Sequence, residues 1–295
     1  MYPPPDPMDR PLMRRWGTWD IAGFRGTEEQ EHRTCKATIG GTWAARGHGP
    51  LSYVVDDAKR FLDMAGRLAL RAQGDVEPNP IVGCVIARDG VVMGVGHHRR
   101  WGEAHAERDA LADCRRRGND PRGATCYVTL EPCCHQGRTP PCTELILNRG
   151  IKKVVYGFCD PNPVVSGKGI EKLRANKIEV EECPLEEVKA LYEGYSYFHK
   201  FKRPFVTLKI ALSKDGKMAG INGAAVKITC EETDKFTHQM RLESSALLTT
   251  SNTLNADDPL FDCRLVSSDK KKVYVVDRNG KLKKNLKIFQ SASEV

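Results

Sequence analysis

The spacing of His105-Ala106-Glu107, Pro132-Cys133 and Cys142 constrains this chain more than any other feature. It supplies one imidazole, two potential thiolates and one free carboxylate. Three ligands of the imidazole and thiolate type hold Zn²⁺ tetrahedrally and leave a fourth position open, which is the inventory of a catalytic zinc site. The fold is therefore expected to bring His105, Cys133 and Cys142 together as metal ligands. Glu107 is expected to stand beside the metal and move protons.

Each residue alone has an ordinary reading. A lone His is a surface or satisfied core residue, and a lone buried Cys behaves as a small hydrophobe. The conjunction is what carries weight. A His-x-Glu, a strand-like run over 124–130, Glu131-Pro132-Cys133, a Gly/Pro loop and Cys142 follow one another in order. The H-x-E…P-C pattern is that of zinc deaminases, in which the Glu is the general acid/base and not a ligand. One departure is visible: the second half of that pattern is Cys-x-x-Cys, whereas eight residues, Cys134 to Pro141, separate the two cysteines here.

At 295 residues two domains are expected. The sequence contains no apolar run long enough for a transmembrane helix, and the first 30 residues have no signal-peptide core. The net charge of +8 is a mild excess that suits phosphorylated metabolites. No Lys/Arg stripe interleaved with aromatics supports nucleic-acid binding. Without a secretory signal the 11 cysteines do not read as a disulfide framework. Those outside the metal set read as reduced thiols in apolar surroundings, and the chain is expected to be cytoplasmic.

Residues 1–50 show no sustained helix or strand period. They are expected to be a disordered or spurious extension, or a targeting segment. Arg14, Arg15, Arg25 and Arg33 fit a transit peptide, which would make the protein organellar, whereas Glu28, Glu29 and Glu31 argue against one. Residues 51–200 read as the first domain. Apolar positions at i, i+3, i+4 and i+7 predict an amphipathic helix over 56–73, capped by Asp56 or Asp57. A hairpin over 81–87 and 91–96 turns at Arg88-Asp89-Gly90. A helix over 105–117 carries the zinc His in its first turn. A second, starting at Cys142 behind Pro140-Pro141, is expected to help ionise the Cys142 thiol. Strands over 124–130, 152–158 and 178–181, with helices over 169–175 and 185–200, complete an α/β sandwich with a mixed sheet. A second unit, 203–295, is expected to hold a strand over 205–212, a turn at Lys214-Asp215-Gly216, a helix over 231–242, and short buried strands over 246–250 and 273–276.

These residues resemble the bifunctional riboflavin-biosynthesis RibD family, a pyrimidine deaminase joined to a ribosylaminouracil-phosphate reductase. The resemblance is carried by Pro78-Asn79-Pro80-Ile81-Val82-Gly83-Cys84-Val85, by Gly102-Glu103-Ala104-His105-Ala106-Glu107, and by the run from Thr129 to Cys142. Asp160-Pro161-Asn162-Pro163 and Ala256-Asp257-Asp258-Pro259 match as well. The widely spaced Cys142 is what this family shows. The resemblance implies a three-layer cytidine-deaminase-like domain followed by a dihydrofolate-reductase-like α/β domain. It implies hydrolysis of the ring amine of 2,5-diamino-6-(5-phosphoribosylamino)pyrimidin-4-one. His105, Cys133 and Cys142 would hold zinc and Glu107 would shuttle protons. Asn79, His98 and His135 would contact substrate, although Asn79 also reads as a turn cap and His97 competes with His98 for the register.

In the second unit the resemblance implies NADPH. Lys209, Asp215, Thr229, Arg241, Thr253, Asp257 and Arg264 occupy family positions. Arg241 and Arg264 would suit the substrate phosphate as bidentate donors, and Thr229, Thr253 and Asp257 the cofactor. The family's Ser-x-Trp-x-Thr is Ala225-Val226-Lys227-Ile228-Thr229 here, and its later Gly-Gly nucleotide segment does not occur before Val295. The reductase half is therefore expected to be incomplete or inactive. The partners expected are the small phosphoribosyl pyrimidine and a second copy in a homo-oligomer, with no membrane. Two alternatives remain open: a tRNA or cytidine deaminase acting on nucleic acid, and a structural zinc domain closed by Cys134 or His135 as fourth ligand.

Overall fold

A computed structural model describes residues 56–137 and 140–295; the expectations for residues 1–50 lie outside them. Asp56 caps the first helix, α1 (Asp57–Ala69), by accepting the Lys59 N–H, and the helix buries Phe61, Leu62, Ala65, Leu68 and Ala69. Strands β1 (Gly83–Arg88) and β2 (Val91–His97) form the expected antiparallel hairpin. Helix α2 (Ala106–Arg116) follows, then β3 (Thr125–Val128), α3 (Cys142–Asn148), β4 (Lys153–Tyr156), α4 (Lys168–Ala175) and β5 (Glu179–Glu182). The sheet runs β2-β1-β3-β4-β5, antiparallel on one side of β3 and parallel on the other. The sheet is mixed, as expected.

Alternation along the strands sends side chains to two cores. Cys84, Ile86, Cys126, Val128 and Val154 pack with residues of α2, α3 and α4 on one face. Val85, Ala87, Tyr127 and Val155 pack with α1 on the other. This is the three-layer arrangement. Helix α2 lies almost on the backbone of β2. A Cβ at Gly96 would stand 2.6 Å from Ala106 O and closer still to Ala110 N, and one at Gly94 would stand 2.6 Å from Ala110 O. Only glycine admits this approach. Asp109 and Asp113, one turn apart on α2, then accept the His97 and Val95 backbone N–H groups at 3.2 and 3.0 Å.

The expected helix over 185–200 is two helices, α5 (Glu186–Ala190) and α6 (Glu193–Phe201). The break places Tyr192 in the core. Its ring stacks on Phe158 at 5.3 Å, and its hydroxyl donates to Thr129 Oγ1 at 2.6 Å.

The second unit contains α7 (Glu231–Glu243), β6 (Ala246–Thr250), α8 (Ser251–Asp257), β7 (Lys272–Val276) and α9 (Ile288–Ser291). Strands β6 and β7 pair in parallel. They are buried on one side only: Val273 is covered, whereas Leu248, Tyr274 and Val276 are exposed. The strand expected over 205–212 does not form. That segment is irregular, and Phe205, Val206, Leu208, Ile210 and Leu212 are exposed. A strand requires a partner for its backbone groups, and among the described residues the β6-β7 ladder does not extend to it.

All cysteines among the described residues are free thiols; most are buried, but Cys230 is exposed. No helix among the described residues is long and apolar enough to cross a membrane.

Asp113 gives a test of the α2-β2 seat. Burial alone would raise its carboxyl, but hydrogen bonds from the Val95 N–H, Arg117 (2.7 Å) and Arg116 (3.1 Å) outweigh it and hold the pKa below the ordinary value. Asp113→Ala is expected to destabilise the fold by about 1–3 kcal/mol, since it orphans a buried N–H. A depressed folded pKa contributes stability that is complete above the unfolded value of about 3.9 and is lost as pH falls through the folded value. The gap in denaturant midpoint between variant and parent should therefore hold at neutral pH and close in acid. A gap unchanged into strong acid would contradict this account.

Candidate active site

His105 is the N-cap residue of α2, with extended backbone at φ −69° and ψ 162°, and Glu107 stands in the first turn. Cys133 lies in the loop after β3, and Cys142 is the first residue of α3 behind Pro141. These elements meet at one end of the sheet. His105 Nδ1 lies 3.5 Å from Cys133 Sγ and 3.5 Å from Cys142 Sγ. With Zn–S near 2.3 Å and Zn–N near 2.0–2.1 Å, tetrahedral geometry requires an N···S separation of roughly 3.5 Å. The three side chains therefore fit zinc. Among the described residues they form the one group of this kind, and neither Cys134 nor His135 joins it. The closed four-ligand alternative thus loses its fourth ligand.

The helix start does not serve the sulfur expected from the sequence. The Cys142 N–H donates to Cys133 Sγ at 3.4 Å. Hydrogen bonds from Cys142 and His105 push the Cys133 thiol down to about 4. Cys142 is pushed up, because its thiol donates to Cys133 and is buried. The hydrogen bond to Cys133 in turn raises His105. Glu107 is 4% exposed; burial first, and then the charge of Cys133, hold its carboxyl above the ordinary range. A carboxyl raised in this way is suited to take up and release a proton.

A cavity of about 300 Å³ opens beside the sulfur cluster. Asn79, His98, His105, Glu107, Cys133 and His135 all line it. His97 does not: its backbone N–H is held by Asp109 and its ring is only half-buried. His98 is buried, with Nδ1 3.0 Å from Ala104 O and Nε2 3.1 Å from Asn79 Nδ2. A carbonyl only accepts, so Nδ1 carries the proton and Nε2 accepts from the Asn79 amide. Burial lowers the His98 pKa and keeps the ring neutral. The Asn79 amide is thereby oriented, and its Oδ1 is left as an acceptor.

Asp160, Asn162 and Tyr195 are polar lining residues with no role assigned from the sequence. Asp160 and Asn162 alternate with the prolines in Asp160-Pro161-Asn162-Pro163, a visible motif. Tyr195 comes from α6 and donates to Asp160 Oδ1 at 3.3 Å. Nothing local to Tyr195 marks it, because only the packing of α6 brings it to the cavity.

The reductase-type residues are less assembled. Arg241 donates to Asp262 O at 3.1 Å, and Arg264 pairs with the Asp262 carboxylate. Thr229 donates to Asp234 at 2.6 Å. Lys209, Asp215, Thr253 and Asp257 are exposed.

Residues 55–158 match the cytidine and deoxycytidylate deaminase zinc-binding region, and residues 204–295 the RibD C-terminal domain. The riboflavin biosynthesis protein RibD of Aquifex aeolicus is 43% identical over 220 residues, covering 74% of this chain and 61% of that protein. RibD of Actinobacillus pleuropneumoniae is 40% identical over 235 residues, covering 79% and 62%. The chain thus spans about three fifths of the length of these curated relatives. A crystal structure from Thermotoga maritima, described as a diaminohydroxyphosphoribosylaminopyrimidine deaminase/5-amino-6-(5-phosphoribosylamino)uracil reductase, superposes with a TM-score of 0.76. It is 43% identical and covers 81% of this chain and 68% of that one.

Cys142→Ala tests the ligand set. The variant is expected to lose zinc affinity by more than the roughly 10–100-fold typical of a lost second-shell partner. Zinc content after dialysis against a weak chelator measures this. Retention equal to the parent would remove Cys142 from the set.

Proposed function

The chain belongs to the RibD family, and we propose that it hydrolyses the ring amine of 2,5-diamino-6-(5-phosphoribosylamino)pyrimidin-4-one, releasing ammonia. The observation that carries this reading is the meeting of His105 Nδ1 with two sulfurs at 3.5 Å, beside a buried Glu107. His105, Cys133 and Cys142 would hold zinc. When bound, zinc supplies Lewis acidity and lowers the pKa of coordinated water toward roughly 7.

The residues of the chain do the rest. Glu107 takes one proton from the attacking water and gives it to the pyrimidine ring nitrogen, then takes the second from the newly added hydroxyl and gives it to the departing amine. Its raised pKa suits both steps. Asn79 Oδ1, fixed by the neutral His98, accepts from an N–H of the ring. His135, at the exposed edge of the cavity, faces the more polar part of the substrate. Atoms balance: water adds at the amine-bearing carbon, the C–N bond breaks, and ammonia leaves with the proton that Glu107 carried.

The cavity and the RibD relatives favour this small substrate over a nucleic acid. We infer no reductase turnover from the second unit of this chain. The exposure of Thr253 and Asp257 and the unpaired segment 205–212 support that inference. The same exposed apolar segment supports the expectation of a homo-oligomer. The riboflavin biosynthesis protein PYRD of Zea mays, a 44% identical relative, is described as chloroplastic, which supports reading residues 1–50 as a targeting segment.

Purified zinc-loaded chain is expected to release ammonia from this substrate without NADPH. Glu107→Gln should retain zinc and lose about 10²–10⁴-fold in turnover, the range for a general acid–base. Near-normal turnover in that variant would sink the role of Glu107. NADPH absorbance should stay constant when the deaminated product accumulates; its decay would overturn the inactive-reductase reading.

A further inference from the structure

Glu131 is 3% exposed and sits two residues before the ligand Cys133. Its backbone N–H donates to Phe158 O at 2.9 Å. Its carboxylate gathers five donors from the single segment 159–170. Oε2 accepts from Gly167 N at 2.9 Å, Cys159 Sγ at 3.2 Å and Asp160 N at 3.3 Å. Oε1 accepts from Gly169 N at 3.0 Å and Ile170 N at 3.4 Å. A carboxylate offers about four lone-pair sites, so this one is saturated.

The segment it holds also forms the cavity wall that faces the sulfur cluster. Asp160 and Asn162 line the cavity, and Asp160 Oδ1 accepts from Asn162 N at 2.8 Å and from Tyr195. The start of α4 is seated against the same residue and its neighbour. A Cβ at Gly169 would lie 3.1 Å from Glu131 Oε1 and closer still to Pro132 O. Burying a carboxylate is costly unless its hydrogen bonds repay it. Here those bonds run from the ligand-bearing loop to one wall.

We propose that Glu131 is a positioning residue: its carboxylate fixes Asp160 and Asn162 relative to Cys133, so that substrate binding depends on it. This deepens the deaminase reading above and rests on it. Glu131 borders the cavity, but its carboxylate is taken up by the five donors of segment 159–170, so it acts through Asp160.

The test compares Glu131→Gln and the milder Glu131→Asp with the parent in the full zinc-loaded chain. KM is expected to rise roughly tenfold or more, the effect of losing one hydrogen bond to a charged group. The constant kcat and the zinc content should stay close to those of the parent. Adding Asp160→Asn to Glu131→Asp should raise KM no further than Asp160→Asn alone, since the two act as one unit. Hydrogen exchange at Gly167 and Gly169 should quicken, with α2 unaffected. An unchanged KM, additive effects in the double variant, or a loss of zinc and kcat at constant KM would overturn the proposal and leave Glu131 as a brace of the fold. If the parent itself releases no ammonia, the substrate reading fails. The exchange measurement still decides on Glu131 in that case, because unaltered protection of the 159–170 amides would refute it.

Discussion

The seat of α2 on the bare backbone of β2 is the contact on which the site depends. Gly94 and Gly96 remove the side chains that would hold the helix away, and Asp109 and Asp113 tie it down by accepting strand N–H groups. The helix start is then fixed in space, and with it His105 and Glu107. The two cysteines arrive from the other side, on the loop after β3 and the first residue of α3. Close packing turns a small displacement of any one of these elements into a loss of ligand geometry.

The electrostatics of the site follow from burial and from who donates to whom. Cys133 collects hydrogen bonds, which push its thiol down, whereas Cys142 donates and is buried, which pushes its thiol up. His105, Cys133 and Cys142 would hold zinc with both sulfurs as thiolates. Glu107, shut away from water and facing a thiolate, is raised for the same physical reasons that make a carboxyl useful as a proton carrier.

The second unit illustrates the opposite condition. Its segment 205–212 has the apolar content of a strand, yet a strand is a property of a pair. With no paired strand among the described residues, its apolar side chains remain largely exposed. Arg241 and Arg264 reach a common partner in Asp262, whereas Thr253 and Asp257 do not turn inward.

The sequence by itself pointed to the proposed ligand set and proton carrier, and it marked nearly every element of the first domain. Helix periods over 57–69 and 106–116, the hairpin at Asp89-Gly90 and the Pro-Pro start of the helix at Cys142 are local signals, set by side-chain spacing and backbone stereochemistry. Only the tertiary structure decided what depends on distant partners. It placed His98 and not His97 in the cavity, broke the 185–200 helix to bury Tyr192, and moved the helix N–H of Cys142 onto the sulfur of Cys133. It also brought Asp160, Asn162 and Tyr195 to the cavity and saturated Glu131 with donors from a segment 28 to 39 residues away. Such contacts are closed by the packing of whole elements, and no local pattern of residues records them.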